Sequence, residues 1–415
     1  MAIEITDVSN ALQKVIMPFI QDNFPKQTIL LDQVKRNKGV TFMNNAFYAP
    51  VRSGRNGGVT ALANDGNQLI SGKSSIGQAN VGVKVLTGTF DISKLTIDAT
   101  KTAKGAVANQ LTWQAEKLAG DFAKSVNRQY FMDGSGVIAQ AAASANASAV
   151  VLQLADANCD DGIALDRYGT VNGDISPTEY LSAGNVLGVG TAAAAKGTIA
   201  SVGAAGTVTF SAAVAHAAYD AVGFVDGNVE GFGTMEIEGL GKALSSSTGT
   251  STYAGLARST YGWTPQFGST SEALTLSNLE DQYLAAKKYA SPSDRYAIFV
   301  NKTLYKRYGD ILTSMRRTVN ESELLGGWTG LEFAAGAGKV GVFLDFDTPD
   351  GDAYIVNLDT LTICQTSDLD WMESPNEGAL VRRHNYLTYQ ATMHWFTNLL
   401  CLCPAANGRV TQKTD

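Results

Sequence analysis

The most constraining feature of this sequence is one very long amphipathic pattern over residues 99–133. Its apolar side chains recur at helical spacing, at Val107, Leu111, Ala115, Leu118, Phe122, Val126 and Tyr130. Its charged side chains fall largely on the opposite face, at Lys117, Asp121, Lys124 and Arg128. About 33 residues rising roughly 1.5 Å each form a rod of roughly 50 Å. The pattern therefore predicts a helix far longer than the usual ~11–12 residues, ended by Asp-Gly-Ser-Gly at 133–136.

Residues 41–98 predict a second unusual element, a two-stranded flap with a glycine-rich tip. Residues 41–53 look extended, and 81–98 alternate as a returning strand. Between them, 54–80 hold six glycines, four asparagines and no apolar period, which makes an unusually long loop. Because an isolated hairpin is marginally stable in water, the flap is expected to lie across a neighbouring copy. Its candidate contact residues, expected to face acidic partners, are Arg52, Arg55 and Lys73.

The remaining chain alternates between β-rich and mixed segments. Residues 137–236 are rich in Ala, Gly and Val and predict a small all-β insertion. The other predictions are an arm over 1–40 with a short helix at 8–22, a turn-rich segment over 237–275, helices at 277–290 and 302–315, a strand at 296–300, a hairpin around Asp-Thr-Pro-Asp-Gly-Asp at 347–352, and one long β segment at 384–403.

Composition excludes several classes of protein. Charged residues make up only 17% of the 415 residues, against a norm of about 25%, which suggests that copies of the chain cover much of its surface. The net charge of −7 argues against wrapping nucleic acid through Lys and Arg. No apolar run approaches the ~18 residues of a membrane span, and the N-terminus lacks a secretory signal. Four cysteines (Cys159, Cys364, Cys401 and Cys403) do not make a disulfide scaffold and fit synthesis in a reducing compartment.

The chemical motifs do not assemble into an active site. Asp156, Asn158 and Asp160 begin a calcium-loop spacing, but Asp161 and Arg167 occupy positions that such a loop reserves for Gly and Glu. The Cys401 and Cys403 pair, even with His394, does not complete a zinc tetrahedron. The Asp345, Asp347, Asp350 and Asp352 cluster is explained by turn chemistry, with acid–base work as the alternative. No catalytic residue, cofactor or metal ligand is predicted.

Three stretches resemble the major capsid protein of tailed bacteriophages, which has the HK97-like fold. They are TYAGLARSTYGW at 252–263, the run from LTLSNLEDQYLAAKKY to DRYAIFVNKTLYKRYGDIL at 274–312, and RRHNYLTYQATMHWFTNLLCLCPAANGRV at 382–410. The resemblance implies an α+β fold divided into an N-arm (1–40), an extended β-hairpin E-loop (41–98), a long spine helix of the P domain (99–136), a β-rich insertion (137–236), a P-domain loop segment (237–276), a central A domain (277–357), and a return to the P domain with the C-terminal tail (358–415).

The resemblance also implies function and partners. The chain is expected to be a structural protein, not an enzyme, that self-assembles through pentamers and hexamers into an icosahedral shell around double-stranded DNA, without sequence-specific binding or membrane contact. It would be made in the bacterial host cytoplasm and reside in the virion, with a portal and room for a cement or decoration protein. The short arm and the presence of Met1 lead us to expect a separate scaffolding protein. The alternatives are an encapsulin-type compartment shell and an α+β enzyme that uses the Asp345–Asp352 cluster.

Overall fold

The computed structural model describes residues 30, 33–37, 39–59, 61, 71–95, 106–142, 144–153, 181–190, 195–203, 207–218, 220–225, 235–245, 251–314, 322–324, 328–335, 338–349, 351–373 and 379–414. The first strands are β1 (Lys35–Arg36), β2 (Thr41–Met43), β3 (Ala46–Arg52), β4 (Ile76–Gly82), β5 (Lys84–Ser93), β6 (Val137–Ala141), β7 (Ala145–Gln153), β8 (Val186–Val189), β9 (Ala195–Val202), β10 (Thr207–His216), β11 (Ala221–Phe224), β12 (Thr252–Tyr253) and β13 (Leu256–Ala257). The later strands are β14 (Gln266–Ala273), β15 (Tyr296–Val300), β16 (Ser322–Leu324), β17 (Trp328–Ala335), β18 (Gly338–Leu344), β19 (Ala353–Asn357), β20 (Leu361–Gln365), β21 (Asp370–Trp371), β22 (Leu380–Arg382), β23 (Thr388–Cys401) and β24 (Gly408–Thr414).

In the part of the chain that the structure describes, few helices accompany these strands, so the fold is α+β. The α-helices with described bounds are α1 (Ala106–Phe131), α2 (Leu240–Ala243), α3 (Leu276–Lys287) and α4 (Lys302–Ser314), and a 3-10 helix covers Pro404–Ala406. The chain forms two compact units. One comprises Met1–Gln33, Val83–Arg128 and Gln365–Thr397, and the other comprises Val34–Gly82, Gln129–Cys364 and Asn398–Asp415.

The first unit combines most of α1 with an antiparallel sheet centred on β23. The strand β23 pairs with β5 over ten residues, from Thr388 opposite Ser93 to Thr397 opposite Lys84. From Thr388 to Thr397, successive residues of β23 alternate between half-buried and buried positions, because side chains of a strand point to opposite faces. The helix packs on this sheet at Gly88, where an added Cβ would lie 3.1 Å from the Leu118 side chain.

The long helix predicted from periodicity is therefore confirmed between Ala106 and Phe131. Its apolar face is buried at Ala115, Phe122 and Val126. Arg128 departs from the expected pattern, because its side chain is buried rather than exposed. It lies in the last helical turn, where a cation is favourable beside the negative end of the helix dipole.

The second unit contains a seven-stranded mixed sheet in the order β14-β24-β19-β15-β18-β17-β16. The helices α3 and α4 pack on it around one apolar core that includes Tyr283, Ile298, Leu304 and Ile355. The hairpin predicted around 347–352 is wrong. The strands β18 and β19 flank that segment, but β15 lies between them, parallel to β18 and antiparallel to β19. The Asp-rich connection therefore crosses over a strand instead of closing a two-stranded turn.

The flap is smaller than predicted. The strands β2, β3 and β4 form a three-stranded antiparallel sheet, with Ala46 opposite Gly82 and Arg52 opposite Ile76. We call residues 41–82 the flap. The single returning strand predicted over 81–98 is two strands in the structure, β4 and β5, with Val83 between them. The alternating residues of β5 pair with β23 rather than with the flap.

The predicted all-β insertion contains a closed six-stranded barrel in the order β10-β7-β6-β11-β8-β9. Its own apolar core includes Ile138, Val150, Leu187 and Phe210. Closure leaves no open sheet edge.

Other expectations fall outside the described residues. They are the helix at 8–22 and the calcium-like spacing at Asp156–Arg167. No helix in the described residues is long and apolar enough to cross a membrane. In the same residues, no group of three or more His, Cys, Asp or Glu side chains is placed to hold a metal ion.

Candidate assembly site at the base of the flap

The predicted flap cations lie at the two ends of the glycine-rich connection, with Arg52 and Arg55 where β3 ends and Lys73 shortly before β4 begins. Arg52 donates from Nε to the carbonyl of Gly54 at 3.3 Å and from Nη2 to Ser74 Oγ at 3.4 Å. Its side chain thereby bridges the two limbs of the flap while remaining exposed. Arg55 and Lys73 are also exposed, and no hydrogen bond or ion pair joins either side chain to another described residue.

Two glycines bring the limbs of the connection together beyond these cations. A Cβ on Gly72 would lie 2.3 Å from the Gly58 nitrogen, and one on Gly58 would lie 2.7 Å from the Gly72 nitrogen. Only glycine permits so close an approach of two backbones. Asn56 Oδ1 also accepts the Gly58 N–H at 2.9 Å. The glycine-rich composition thus has a local structural cause at this point.

The flap rests on the segment that carries the Tyr-Ala-Gly-x-x-Arg sequence. The strands β12 and β13 form a two-residue hairpin in which Ala254 and Gly255 both have positive φ, +48° and +76°. This geometry matches a type I′ turn, which favours glycine. Asn80 of β4 donates its backbone N–H to the Ala254 carbonyl at 2.9 Å, and a Cβ on Gly255 would collide with Asn80 Oδ1 at 2.2 Å.

A buried arginine holds this segment in shape. Arg258 donates from Nη1 to the carbonyls of Ala243 and Trp263, at 2.9 and 3.1 Å. From Nη2 it donates to the Lys242 carbonyl at 2.7 Å and to Ser245 Oγ at 3.2 Å. Its burial lowers the pKa of the guanidinium.

Arg258 also organises the neighbouring aromatic side chains. Its guanidinium carbon lies 4.9 Å from the centre of the Tyr253 ring, a favourable cation–π distance. Trp263 Nε1 donates to the Tyr253 carbonyl at 2.8 Å, and the Tyr253 hydroxyl accepts the Cys401 N–H at 2.9 Å. Burial, then the nearby Cys401 thiol, raises the pKa of Tyr253 well above its ordinary value, so the phenol stays protonated.

The flap base and this segment line an open cavity of about 840 Å³ within the second unit. Its lining includes three cations, Arg52, Arg55 and Lys288, and three aromatic residues, Tyr261, Trp263 and Tyr289. The Tyr261 and Tyr289 rings meet edge to face at 6.2 Å, and Lys288 Nζ lies 5.6 Å from the Tyr289 ring centre. No carboxylate is among the described residues that line the cavity.

Cys403 also lines the cavity and is partly exposed, whereas Cys364 and Cys401 are buried. Burial raises the pKa of the Cys403 thiol, so the thiol form dominates at neutral pH. Asn407 fixes the backbone here, because its Nδ2 donates to the Cys403 carbonyl at 2.9 Å and to Thr360 Oγ1 at 3.0 Å. The Pro-Ala-Ala-Asn sequence thus shapes one wall of the cavity.

Of the three predicted contact residues, the structure brings two together. Arg52 and Arg55 share the cavity, and Lys73 is not among its lining residues. Sequence reasoning missed Tyr261, Lys288, Tyr289 and Cys403 as members of the site. Tyr261 lies inside the stretch at 252–263 that carries the family resemblance, but no local spacing links these four positions to the flap.

The Asp345–Asp352 cluster is structural at its described positions. Asp345 Oδ1 accepts the Asp347 N–H at 3.0 Å, as in an ordinary Asx turn. Asp352 forms a buried ion pair with Arg409 at 2.6 Å. The carboxylates of Asp345 and Asp352 therefore take turn and core roles.

Comparison with known proteins identifies the fold. No protein-family model matches the chain, and no curated protein matches it in sequence. A chain of the cyanophage A-1(L) capsid asymmetric unit does match in structure, with a TM-score of 0.53 and 14% identity over 94% of this chain and 93% of that chain. The chain has the fold of a phage capsid protein.

Two further solved structures are similar to the chain at lower scores. A chain of Gordonia phage Cozz is 11% identical, with a TM-score of 0.41 over 93% of this chain and 86% of that chain. A chain of the holo-SrpI encapsulin complex from Synechococcus elongatus PCC 7942 is 10% identical, with a TM-score of 0.29 over 36% of this chain and 53% of that chain.

Proposed function

We propose that the chain is a major capsid protein, whose copies assemble through pentamers and hexamers into the icosahedral shell of a tailed phage around double-stranded DNA. The observation that carries this proposal is the likeness to the cyanophage capsid chain over nearly the full length of both chains. The low charge content of 17% agrees with a shell subunit whose edges are covered by identical neighbouring subunits.

In this proposal the elements take the roles that the family resemblance implies. The flap is the E-loop, α1 is the spine helix of the P domain, and residues 277–357 form the A domain. The barrel is an insertion on this plan. A scaffolding protein and a portal are the proposed partners, with room for a decoration protein, and the virion is the proposed location.

The surface of the flap supports its role in assembly. Four large apolar side chains are at least half exposed there, namely Phe42 at 50%, Met43 at 55%, Val59 at 71% and Ile76 at 77%. Apolar side chains concentrated on one extended element mark an interaction surface. A neighbouring copy that covers them would remove apolar area from water, which is the main favourable contribution to association.

Electron microscopy of the concentrated chain, alone and with the other structural proteins of its phage, tests the proposal. We expect icosahedral particles that protect DNA from nuclease in the infected host. Particles filled with enzyme instead of DNA would favour the encapsulin alternative, and a chain that stays monomeric under every condition would contradict a shell role.

Deletion of residues 59–71 tests the flap specifically. The deletion joins Gly58 to Gly72, whose backbones already approach closely, so the β2–β3–β4 sheet should persist. We expect a soluble chain with an unchanged circular dichroism spectrum that fails to form closed shells. Normal shells from this variant would show that the tip of the flap is dispensable.

A further inference from the structure

The cavity at the flap base is lined by cations and aromatic side chains and by no carboxylate among the described residues. Its cations retain bonding capacity, because the Arg52 hydrogen bonds are long, at 3.3 and 3.4 Å, and Arg55 has no ion pair or hydrogen bond among the described residues. Guanidinium groups bind carboxylates through paired N–H donors. The aromatic wall beside them offers apolar contact to the same occupant.

The wall of the cavity is rigid before anything binds. The Arg258 bonds fix Trp263, and Asn407 fixes the carbonyl of Cys403. A preorganised site loses little conformational entropy on binding. The cavity is therefore suited to an occupant that supplies carboxylates next to one large apolar side chain.

The chain itself contains such a segment. Residues 340–381 include no Lys or Arg and carry nine acidic residues: Asp345, Asp347, Asp350, Asp352, Asp359, Asp368, Asp370, Glu373 and Glu377. Within the described residues, Asp352 pairs with Arg409, and Asp359 pairs with Arg295 and Lys35. Asp368 and Glu373 are also exposed at the surface, and Asp368 Oδ1 accepts a hydrogen bond from Gln365 Nε2 at 2.7 Å.

An exposed apolar side chain lies within residues 340–381. Met372 is 60% exposed and precedes Glu373 directly, while Asp370 is half-buried on the same short stretch. A methionine thioether packs favourably against aromatic rings. Residues 368–373, which we call the acidic segment, thus match both the charge and the aromatic wall of the cavity.

We infer that the cavity binds the acidic segment of a second copy of this chain. This inference rests on the proposed shell function, which it deepens by naming the two surfaces that meet. The two surfaces differ, so the contact is head to tail, and head-to-tail contacts close into rings when the rotation permits. Rings of this kind are the pentamers and hexamers that a shell requires.

Charge exchange between the two surfaces tests the inference. Arg55→Glu in the cavity and Asp368→Lys in the acidic segment should each weaken subunit association by about tenfold, measured by analytical ultracentrifugation. The double variant should recover most of that loss, because the two new side chains again attract. Lys306→Glu is the matched control, since it reverses an exposed cation on α4 that does not line the cavity.

Thiol labelling of Cys403 supplies a second readout in a Cys159→Ser background. At mildly alkaline pH, free subunits should react with a maleimide, and assembled wild-type oligomers should be protected. Continued labelling of Cys403 in oligomers, or failure of the double variant to recover association, would overturn the inference while leaving shell formation intact. Absence of any wild-type oligomer would instead contradict the proposed function itself.

Discussion

At the scale of single residues, Arg258 is the side chain on which the flap base most depends. Replacing it with Met removes four donated hydrogen bonds. The buried carbonyls of Ala243 and Trp263 then lose this donor. Unpaired buried acceptors are costly, so we expect Arg258→Met to lower the free energy of unfolding by about 2–4 kcal/mol. Chemical denaturation followed by tryptophan fluorescence measures the loss.

Two further variants separate charge from geometry at this position. Arg258→Lys keeps the charge, but one ammonium cannot span the carbonyls of Lys242, Ala243 and Trp263, so about 1–2 kcal/mol should still be lost. Arg55→Met is the control, because that exposed arginine should change stability by no more than about 0.5 kcal/mol. Full stability of Arg258→Lys would mean that charge alone matters here.

Asp359 gives the second unit a defined response to acid. Burial raises the pKa of this carboxyl, but hydrogen bonds and charge from Arg295 and Lys35 outweigh it and hold the pKa well below its usual 3.8. A depressed pKa means that the stabilisation is complete above the unfolded value and is lost as pH falls through the folded value. Asp359→Asn should therefore be less stable than the parent at neutral pH, with a difference that shrinks as pH falls below 3.8. A thermal-unfolding series against pH checks this, and a difference independent of pH would contradict it.

At the scale of elements, the barrel has the properties of an autonomous insertion. Its first and last strands are neighbours, and the Phe224 N–H donates to the Gly136 carbonyl at 2.9 Å. A short Gly-Ser linker in place of 137–224 would therefore span almost no distance. We expect the shortened chain to fold and to form shells, and residues 136–225 expressed alone to unfold cooperatively, as seen by circular dichroism. An insoluble shortened chain would show that the barrel is needed for folding.

The same elements show how far sequence reasoning reached. Periodicity predicted α1 and β23, because each buries one continuous face that leaves a local pattern in the sequence. Strand pairing was harder to predict. Residues 84–93 show the alternation of a strand, but no local sequence pattern indicates that they pair with β23 rather than with β3. The cavity was only half predicted for the same reason, since Arg52 and Arg55 meet Lys288 and Cys403 solely through long-range folding.

At the scale of the whole molecule, the remaining question is whether neighbouring chains become covalently joined. An isopeptide bond between two chains would require a flap lysine, an asparagine on a partner, and a carboxyl that takes a proton in a desolvated pocket. Lys73 is exposed on the flap, but Lys84 is buried within its own chain. The cavity that Arg52 and Arg55 share offers cations rather than a carboxyl, since no carboxylate is among its described lining residues.

We therefore expect mature particles to be held together by non-covalent contacts alone. Boiled in detergent and reductant, they should yield monomers near 43.8 kDa on denaturing electrophoresis, because detergent removes the apolar contacts and screens the ion pairs. Lys73→Arg is the matched variant: it keeps the charge, removes the reactive amine, and should leave the pattern unchanged. A ladder of oligomers in the parent that disappears in Lys73→Arg would refute this prediction and identify Lys73 as the cross-linking residue.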